Sequence, residues 1–486
     1  MSVTSVDALM GSTVTSVLAA GFASSLAGSS GDEPQPASTE PTSAAVIQLR
    51  TNLDGERSID ALASSQVPGT HRTYMIIVFT RHPLGGPMTT AAPVLLVSDH
   101  VAGSVHVLTV PDGTVTGRLT GRHLSEHAGF LALSEGRVAC VDDRRGELLV
   151  LDPYGEQLVE RAVPVAVPAE HLACDPAGRR LAVTTGLGKN TEPWSDLLTV
   201  VDLATDKTAR VRTRVGEPGV TVLGGGDPLV VLRHREPGAL AAHRFADLLA
   251  APPGCPVASP HELLPLPDDG HGDAQAPGAA DLFVATGEGV HRARRKGDTL
   301  LAEAVIPWEA PARGWYLRLD TRRAALWSTL RGGAPDPLRW PEWTNQAWHH
   351  DLETGRTSLT ELGPGLVFRL ALARNHTAFT RIHPDGDELL LLGADGIVRR
   401  TPLPAMDGAP RRGGTPWEGV QRRAVAASPG SDWVAVTRGG HGEVHIVDAR
   451  TGHEAARPRL STPLHHGGHM ALRNRTDGAE GDPVGR

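Results

Sequence analysis

The sequence predicts an all-β protein built from repeats of one small unit, and three observations support that prediction. The 486 residues include 55 Gly and 38 Pro, which favours many short elements joined by turns over long helices. One short motif, a mostly apolar run that ends in Asp and is followed by Gly or Asp, occurs in four clear copies. The copies are separated by multiples of roughly 50 residues, which is typical of repeat architectures.

Each clear copy predicts a tight hairpin between two strands. The Asp side chain can cap the turn, and the following Gly or Asp can adopt a positive φ. The copies place this Asp at Asp152, Asp202, Asp351 and Asp448, with spacings of 50, 149 and 97 residues. Degenerate copies fill the gaps and bring the total to eight hairpin centres. They lie near Val110, Phe245, Ala293 and Thr401.

A second turn recurs earlier in the repeat, as Asp175-Pro-Ala-Gly178 in one copy and Ser428-Pro-Gly430 in another. Each repeat therefore has four short strands, and a four-stranded unit of about 50 residues is the blade of a β-propeller. The sequence predicts a single propeller over residues 91–475, with eight blades, or seven if one of the degenerate copies is false.

The turns resemble those of the WD40/YncE-like propeller superfamily, although Val-Asp, Leu-Asp or His-Asp replaces the usual Trp-Asp. The resemblance spans residues 92–475 and implies an architecture, not a particular activity.

The ring is expected to close between its two ends. The first unit opens at Pro93 and lacks an obvious innermost strand, while the last complete unit ends near Leu460 and leaves a short apolar segment, 468–472. We expect this segment to become the innermost strand of blade 1, because closure removes the exposed strand edge.

The two ends of the chain differ in composition from the repeats. Residues 1–90 include a Ser/Pro/Thr/Glu-rich stretch and are expected to be a disordered or leader extension, outside the natural chain if translation begins at Met88. Residues 476–486 are expected to be a disordered tail. The apolar segment 14–27 lacks the positive flank of a secretion signal, which favours a cytoplasmic location over a secreted or periplasmic one.

The residues that enter the innermost strands form the candidate binding site. In a propeller these junctions all surround one mouth of the central channel, so side chains that are far apart in sequence meet there. Four of the candidates are histidines, and the others are Asp, Trp and Arg. The predicted binding residues are His127, His171, His271, Asp273, Trp315, Arg369, Arg423 and His469.

The four histidines at this mouth also form a candidate metal site, because neutral imidazoles are preferred ligands of Zn²⁺. Asp273 would be a further ligand, and zinc or calcium the ion. The alternative is that these histidines are hydrogen-bonding residues on a polar rim. The predicted metal ligands are His127, His171, His271 and His469.

Two further features bear on metal binding. The segment from His271 to Val290 resembles part of the periplasmic zinc-chaperone propellers over some 20 residues, and this resemblance implies zinc. The densest His group, His465 and His466 with His469, is either a metal-binding loop or a solvated turn before the closing strand.

Catalytic motifs with a specific spacing are missing from the sequence: it has no Gly-x-Ser-x-Gly elbow, no P-loop and no His-Glu-x-x-His. Glu126, Glu170 and Glu217 lie at the same junctions and keep a metal-dependent, lactonase-like hydrolase open as an interpretation. The three cysteines show no paired spacing, which argues against a disulfide scaffold.

The composition excludes other classes of protein. A formal net charge of −8 and a pI near 6.3 argue against nucleic-acid binding by bulk electrostatics. No run of 18 apolar residues is present to span a membrane. The predicted function is that of a monomeric, non-enzymatic propeller that recognises a protein partner or a small ligand at one face of the ring. A zinc-binding, metallochaperone-like propeller and the hydrolase are the alternatives.

Residues 331–344 form a Gly/Pro/Trp-rich insertion in blade 6. Its tryptophans either contact a partner or pack the insertion onto the blade.

Overall fold

The computed structural model describes residues 92–187, 192–275 and 280–479, and outside them the backbone of a few short strands. By its internal contacts the chain divides into two units, residues 1–89 and 90–486. The strands of the first unit are Ser16–Gly21, Asn52–Leu53, Arg57–Ser58, Asp60–Gln66 and Thr73–Phe79. Apart from these strands, the expected leader over residues 1–90 and the start at Met88 lie outside the described residues.

The second unit is a β-propeller of eight antiparallel sheets, one for each blade, arranged in chain order. The first strand of each blade is innermost and the fourth is outermost. The first three strands are largely buried, whereas the fourth strand alternates between exposed and half-buried residues, as in Val115–Thr120 of blade 1. The prediction of eight four-stranded blades is confirmed.

From the innermost to the outermost strand, the first four blades have regular four-strand order. Blade 1 contains His469–Arg473, Val94–Asp99, Ser104–Thr109 and Val115–Thr120; blade 2 contains Phe130–Ala132, Val138–Asp142, Glu147–Leu151 and Val159–Pro164; blade 3 contains Ala169–Cys174, Arg180–Thr185, Asp196–Asp202 and Lys207–Thr213; blade 4 contains Gly219–Leu223, Leu229–His234, Ala239–Arg244 and Glu262–Pro265.

The other four blades follow the same order, with a divided innermost strand in blade 6. Blade 5 contains Asp273–Gln275, Asp281–Ala285, Gly289–Lys296 and Thr299–Ala302, with Ile306–Pro307 also on its third strand; blade 6 contains Arg313–Gly314 with Arg318–Asp320, Ala325–Gly332, Thr344–Asp351 and Thr357–Glu361; blade 7 contains Leu366–Leu372, His376–Ile382, Asp387–Gly393 and Val398–Leu403; blade 8 contains Val425–Ala427, Trp433–Arg438, Glu443–Asp448 and Glu454–Ala456.

Short helical turns and one further strand complete the unit. The helical turns are Ser134–Gly136, Phe245–Leu249, Pro337–Glu342 and His465–Gly467, and the strand Pro483–Val484 pairs with the innermost strand of blade 2. Among the described residues, none of the helices has the length and apolar character needed to cross a membrane.

The Asp residues of the four clear repeats cap their hairpins as predicted. In each, a carboxylate oxygen of the Asp accepts the backbone N–H two residues later, at 2.9 Å in all four turns. Two of the degenerate centres are displaced: Ala293 and Thr401 lie inside strands, and the turns are formed by Gly297-Asp298 and Asp395-Gly396. Phe245 begins a short helix between the third and fourth strands of blade 4.

Ring closure also follows the prediction. His469–Arg473 pairs antiparallel with Val94–Asp99 and becomes the innermost strand of blade 1, with Met470 opposite Val97. Its apolar side chains are fully buried, so both ends of the propeller contribute to one core. After this strand, Asp477 accepts a hydrogen bond from Ser428 Oγ at 2.8 Å, and Ala479 is buried.

The insertion in blade 6 packs against its neighbours. Trp340 and Trp343 are buried in an apolar cluster with Leu366, Ile382 and Met406. Of the two explanations for these tryptophans, the structure shows the packing one.

Candidate functional site

The end of the ring that carries the junctions into the innermost strands is called the mouth. It also carries the turns between second and third strands, because successive strands alternate in direction. A cavity of about 410 Å³ opens there, between the innermost strands of blades 2 to 7. Its charged and histidine lining consists of Glu126, His127, Glu170, His171, Glu217, Arg235, His271, Asp273, Arg318 and Arg369.

This mouth cavity brings together most of the predicted binding residues. His127, His171, His271, Asp273 and Arg369 all line it, although they come from different blades. The three glutamates at the same junctions line it as well. The other three predicted residues lie elsewhere: Trp315 flanks the cavity, while Arg423 and His469 are buried in the blades.

In blades 3 and 7, β-bulges shape the cavity wall. In blade 3, Ala169 pairs with Thr185 and His171 with Thr184, so Glu170 is an extra residue in the innermost strand. In blade 7 the register likewise shifts by one residue between Val367 and Leu370, where Phe368 and Arg369 lie. A bulge re-aims side chains, and here both bulges coincide with cavity-lining residues. Sequence reasoning did not predict them, because a bulge depends on the register of the partner strand.

Blade 6 departs further from a regular strand. Its innermost strand is divided into Arg313–Gly314 and Arg318–Asp320, and the residues between them form part of the cavity wall. The Arg313 guanidinium lies 3.9 Å from the centre of the Trp315 ring, which holds this tryptophan at the edge of the cavity. A Cβ on Gly272 would lie 2.5 Å from the Trp315 carbonyl oxygen, so the contact between blades 5 and 6 requires glycine there.

Blade 4 presents Glu217 from a constrained backbone. Glu217 has a φ of +55°, a left-handed conformation that is unfavourable for a residue with a Cβ. The buried carboxylate of Asp196 stabilises it by accepting the backbone N–H groups of Gly216 and Glu217 at 2.9 and 3.1 Å. Such local strain is found most often at functional sites.

Asp273 and His127 are held by neighbouring side chains. Asp273 accepts a hydrogen bond from Arg233 Nε at 2.6 Å, and both side chains are nearly fully buried. His127 Nδ1 lies 2.7 Å from Glu170 Oε1, which joins the entries of blades 2 and 3. The Asp273 carboxylate is therefore compensated by Arg233, and the Glu170 carboxylate, which also lines the cavity, is paired with His127.

Arg423 and His469 do not line the mouth cavity, although both were predicted to lie in the binding site. The buried Arg423 guanidinium donates to Asp387 at 2.8 Å and to the Thr437 carbonyl at 3.2 Å, in the wall between blades 7 and 8. His469 begins the closing strand, where it is buried and its ring centre lies 5.3 Å from that of His100. The four predicted metal ligands are therefore not gathered at one point.

Another group in the mouth has the geometry of a metal site. The ligand atoms of His100, Glu126 and His466 all lie within 4.8 Å of one another, and no other such trio is found among the described residues. His100 Nε2 lies 3.8 Å from Glu126 Oε2, and His466 Nδ1 lies 3.6 Å from Glu126 Oε1. Bonds of about 2.05 Å in a tetrahedral zinc site would separate ligand atoms by about 3.4 Å, close to both distances.

Asp99 fixes the two histidine segments of this trio. One of its oxygens accepts the N–H groups of Val101 and Ala102, and the other accepts the N–H of Leu464 at 2.8 Å. His466 is thereby held with a left-handed φ of +56°. Burial lowers the pKa of His100, which favours the neutral imidazole that binds metals, and neither of its ring nitrogens has a hydrogen-bond partner among the described residues.

Sequence reasoning missed His100 because it lies in a turn between a second and a third strand, whereas only the junctions were searched. The signal was available: this turn directly follows the strand that pairs with the predicted closing strand, so it must meet the His465–His466 segment at the mouth.

No protein-family model and no curated protein sequence matches this chain. Several solved propellers are similar in structure. Apo AztD from Citrobacter koseri has 11% identity and a TM-score of 0.55, over 80% of this chain and 99% of that one. The dihydro-heme d1 dehydrogenase NirN, in complex with DHE, has 16% identity and a TM-score of 0.51, over 81% of this chain and 78% of that one. At these identities the similarity shows the fold alone.

Proposed function

We propose that this propeller is a non-enzymatic binding protein that holds a small polar ligand in the mouth cavity. One observation carries the proposal: the innermost strands of blades 3, 6 and 7 depart from regular pairing at the residues that line the cavity. Irregular pairing costs ladder hydrogen bonds, and these three departures point polar side chains into one space. The cavity volume of about 410 Å³ lies within the usual range of small-ligand sites.

Three further parts of the proposal, the class of ligand, the oligomeric state and the location, rest on the sequence. The net charge of −8 favours a ligand other than nucleic acid. We propose a monomer located in the cytoplasm and related to the YncE-like propellers, with a protein partner as the other kind of occupant for this face.

Equilibrium dialysis against a mixture of compounds tests the proposal while the ligand is still unidentified. The full chain is dialysed against a defined mixture of amino acids, dipeptides, dicarboxylates, diamines, sugar phosphates and nucleosides, and the enriched compounds are identified by mass spectrometry. We expect enrichment by the wild-type protein and its loss in His127→Trp, because the half-exposed His127 side chain lies at the cavity wall and a larger ring there fills the space.

The control is Thr354→Trp, which places the same ring on an exposed hairpin at the opposite end of blade 6. It should enrich the same compounds as the wild-type protein. Equal enrichment by His127→Trp, or none by the wild-type protein, would overturn the proposal. Turnover of lactones by the full chain, lost in Glu170→Gln, would replace it with the hydrolase alternative.

The trio in the mouth favours a second candidate function, the binding of a divalent transition metal. Two imidazoles and one carboxylate are a donor set that suits zinc, and three protein ligands leave a fourth position open. Glu126 belongs both to this trio and to the lining of the mouth cavity, so a bound ion would face the cavity. These ligands replace the predicted set of His127, His171, His271 and His469 in this proposal.

Zinc competition against a chromophoric chelator tests this second candidate on tag-free, chelator-treated protein. We expect about one equivalent of zinc, with at least ten-fold weaker binding in His100→Ala and in His466→Ala. His171→Ala and His271→Ala are matched controls and should bind zinc as the wild-type protein does. Weaker binding in the controls alone would restore the original set of ligands, and no zinc in any protein would contradict the second candidate.

A further inference from the structure

Arg331 is a cation that the described part of the chain leaves without a carboxylate partner. It lies at the mouth end of the second strand of blade 6, opposite Arg313 of the innermost strand. Its Nε is buried and has no hydrogen-bond partner among the described residues. Burial lowers the pKa of Arg331, and the one group that opposes this shift is the Tyr316 phenol, not a carboxylate. An arginine keeps its proton in such surroundings, so its positive charge stays uncompensated.

Two tryptophan rings contact the Arg331 guanidinium. Its central carbon lies 4.8 Å from the centre of the Trp343 ring and 5.9 Å from that of Trp417, and the two ring centres are 6.4 Å apart. Ring faces attract a cation electrostatically, but they accept only weak hydrogen bonds. The N–H groups of Arg331 therefore still lack an oxygen acceptor.

Arg313, in the same blade, has both of the contacts of which Arg331 has one. Its guanidinium lies over the Trp315 ring at 3.9 Å, and it also pairs with the Asp269 carboxylate at 2.9 Å. Arg331 has the aromatic contact without the carboxylate. An oxyanion from outside the chain would supply the missing partner.

The loop between blades 7 and 8 holds Trp417 at the surface. Trp340 Nε1 donates to the Gly414 carbonyl at 3.1 Å, and the Arg422 guanidinium donates to the Pro416 carbonyl at 2.9 Å. These contacts fix the loop on both sides of Trp417, yet this ring is 54% exposed. The loop therefore presents an apolar surface beside the uncompensated cation.

We infer that Arg331 and Trp417 form a second binding site, separate from the mouth cavity, for an oxyanion carried by a flat apolar group, such as an aromatic carboxylate or an aryl phosphate. The guanidinium donates two parallel hydrogen bonds to the oxyanion, and the exposed face of Trp417 packs against the apolar group. Neither residue lines the mouth cavity, so this site does not depend on the proposed function.

A set of probes of one shape and different charge tests the site by fluorine NMR on the full chain. The anionic probes are para-fluorobenzoate and para-fluorophenyl phosphate, the neutral probe is para-fluorobenzamide, and the cationic probe is para-fluorobenzylamine. We expect at least one anion to bind ten-fold or more tightly than both the neutral and the cationic probe. The tighter of the two anions identifies the oxyanion as a carboxylate or a phosphate.

Two variants assign the binding to this site. Arg331→Gln should weaken binding of the anion at least ten-fold, because it removes the charge and the paired donors. Trp417→Ala should weaken it at least three-fold, and it decides the test if Arg331→Gln fails to fold, because the Trp417 ring is half-exposed. The control Arg356→Gln removes the same charge from the exposed hairpin at the opposite end of blade 6 and should leave the affinity unchanged.

The contradicting results are specific. Equal affinity for the anionic and neutral probes overturns the inference, as does anion binding that persists in a folded Arg331→Gln or in Trp417→Ala. An equal loss in Arg356→Gln would show general attraction to positive charge and would also overturn it. Loss in His127→Trp alone would place the anion in the mouth cavity, in which case this inference is wrong and the proposed function stands.

Discussion

The innermost strands of blades 1 and 3 occupy equivalent places in the ring but are built differently. In blade 1, His469–Arg473 pairs with the next strand without a register shift, and all five residues are buried. In blade 3, Ala169–Cys174 contains a bulge at Glu170, and Glu170 and His171 are half-buried at the mouth cavity. A continuous ladder stabilises the ring, whereas an interrupted ladder presents side chains to the channel. Blades 7 and 8 differ in the same way: the innermost strand of blade 7 contains a bulge, whereas that of blade 8 pairs without a register shift.

The largest expected effect comes from removing the regularly paired innermost strand of blade 1. Deleting residues 464–486 removes the innermost strand of blade 1, exposes a strand edge and removes Met470 and Leu472 from the core. We expect loss of the cooperative thermal transition, or a fall in Tm of more than about 10 °C, because removal of even one buried leucine costs about 2–5 kcal/mol. Circular dichroism during heating measures it. Deleting only residues 480–486, which removes the two-residue strand Pro483–Val484 but leaves His469–Arg473 in place, is the control and should lower Tm much less. An unchanged Tm in the longer deletion would contradict closure by His469–Arg473.

A smaller effect is expected at Asp273, which lines the cavity but is bound to Arg233. In Asp273→Asn the buried guanidinium keeps its charge and loses its carboxylate partner. Such a change costs about 3 kcal/mol or more, which urea denaturation measures directly. Asp206→Asn, which breaks the exposed pair with Arg161, should change the free energy of unfolding little. Equal stability of Asp273→Asn and the wild-type protein would show that the pair with Arg233 does not stabilise the fold.

Buried histidines in regular strands should make the free energy of unfolding depend on pH. Burial in blade 4 lowers the pKa of His243 to about 4, from its ordinary value of 6.5. As the pH falls below 6.5 the unfolded chain takes up a proton at His243 while the folded chain does not, so the folded state loses stability. Between pH 7.5 and pH 5 this contribution is about 2 kcal/mol.

Urea denaturation at the two pH values measures that difference, and His243→Gln should lose about 2 kcal/mol less than the wild-type protein on acidification. An identical pH dependence in both proteins would show that His243 is protonated normally in the fold.

The sequence was most informative where structure follows from local chemistry. Asp152 and Asp448 cap turns by contacts two residues along the chain, so their hairpins could be predicted. The closing strand could be predicted because segment 468–472 was apolar and had no other partner in the repeat pattern. The displaced centres near Ala293 and Thr401 show the limit of this reasoning, since a weak repeat places the turn only to within several residues.

The site could be predicted only in part, because it depends on relations between strands. Position at a junction was enough to place His127 and Arg369 at the mouth. It was not enough for Arg423, whose guanidinium binds Asp387 from the neighbouring blade. The bulges and the His100 trio depend on register and on contacts between blades, which no single repeat contains.

The central claim is that the bulges of the innermost strands create the binding site, and deletion of Glu170 tests it most directly. Without this extra residue, Ala169 and His171 can pair regularly with Thr185 and Thr184. The matched control is deletion of Glu160, the extra residue of a bulge in the outermost strand of blade 2, away from the cavity. The measurement is equilibrium dialysis of both variants against the compound mixture. We predict that the Glu170 deletion remains folded and loses enrichment at least ten-fold, while the Glu160 deletion keeps it. Undiminished enrichment by a folded Glu170 deletion would contradict the claim.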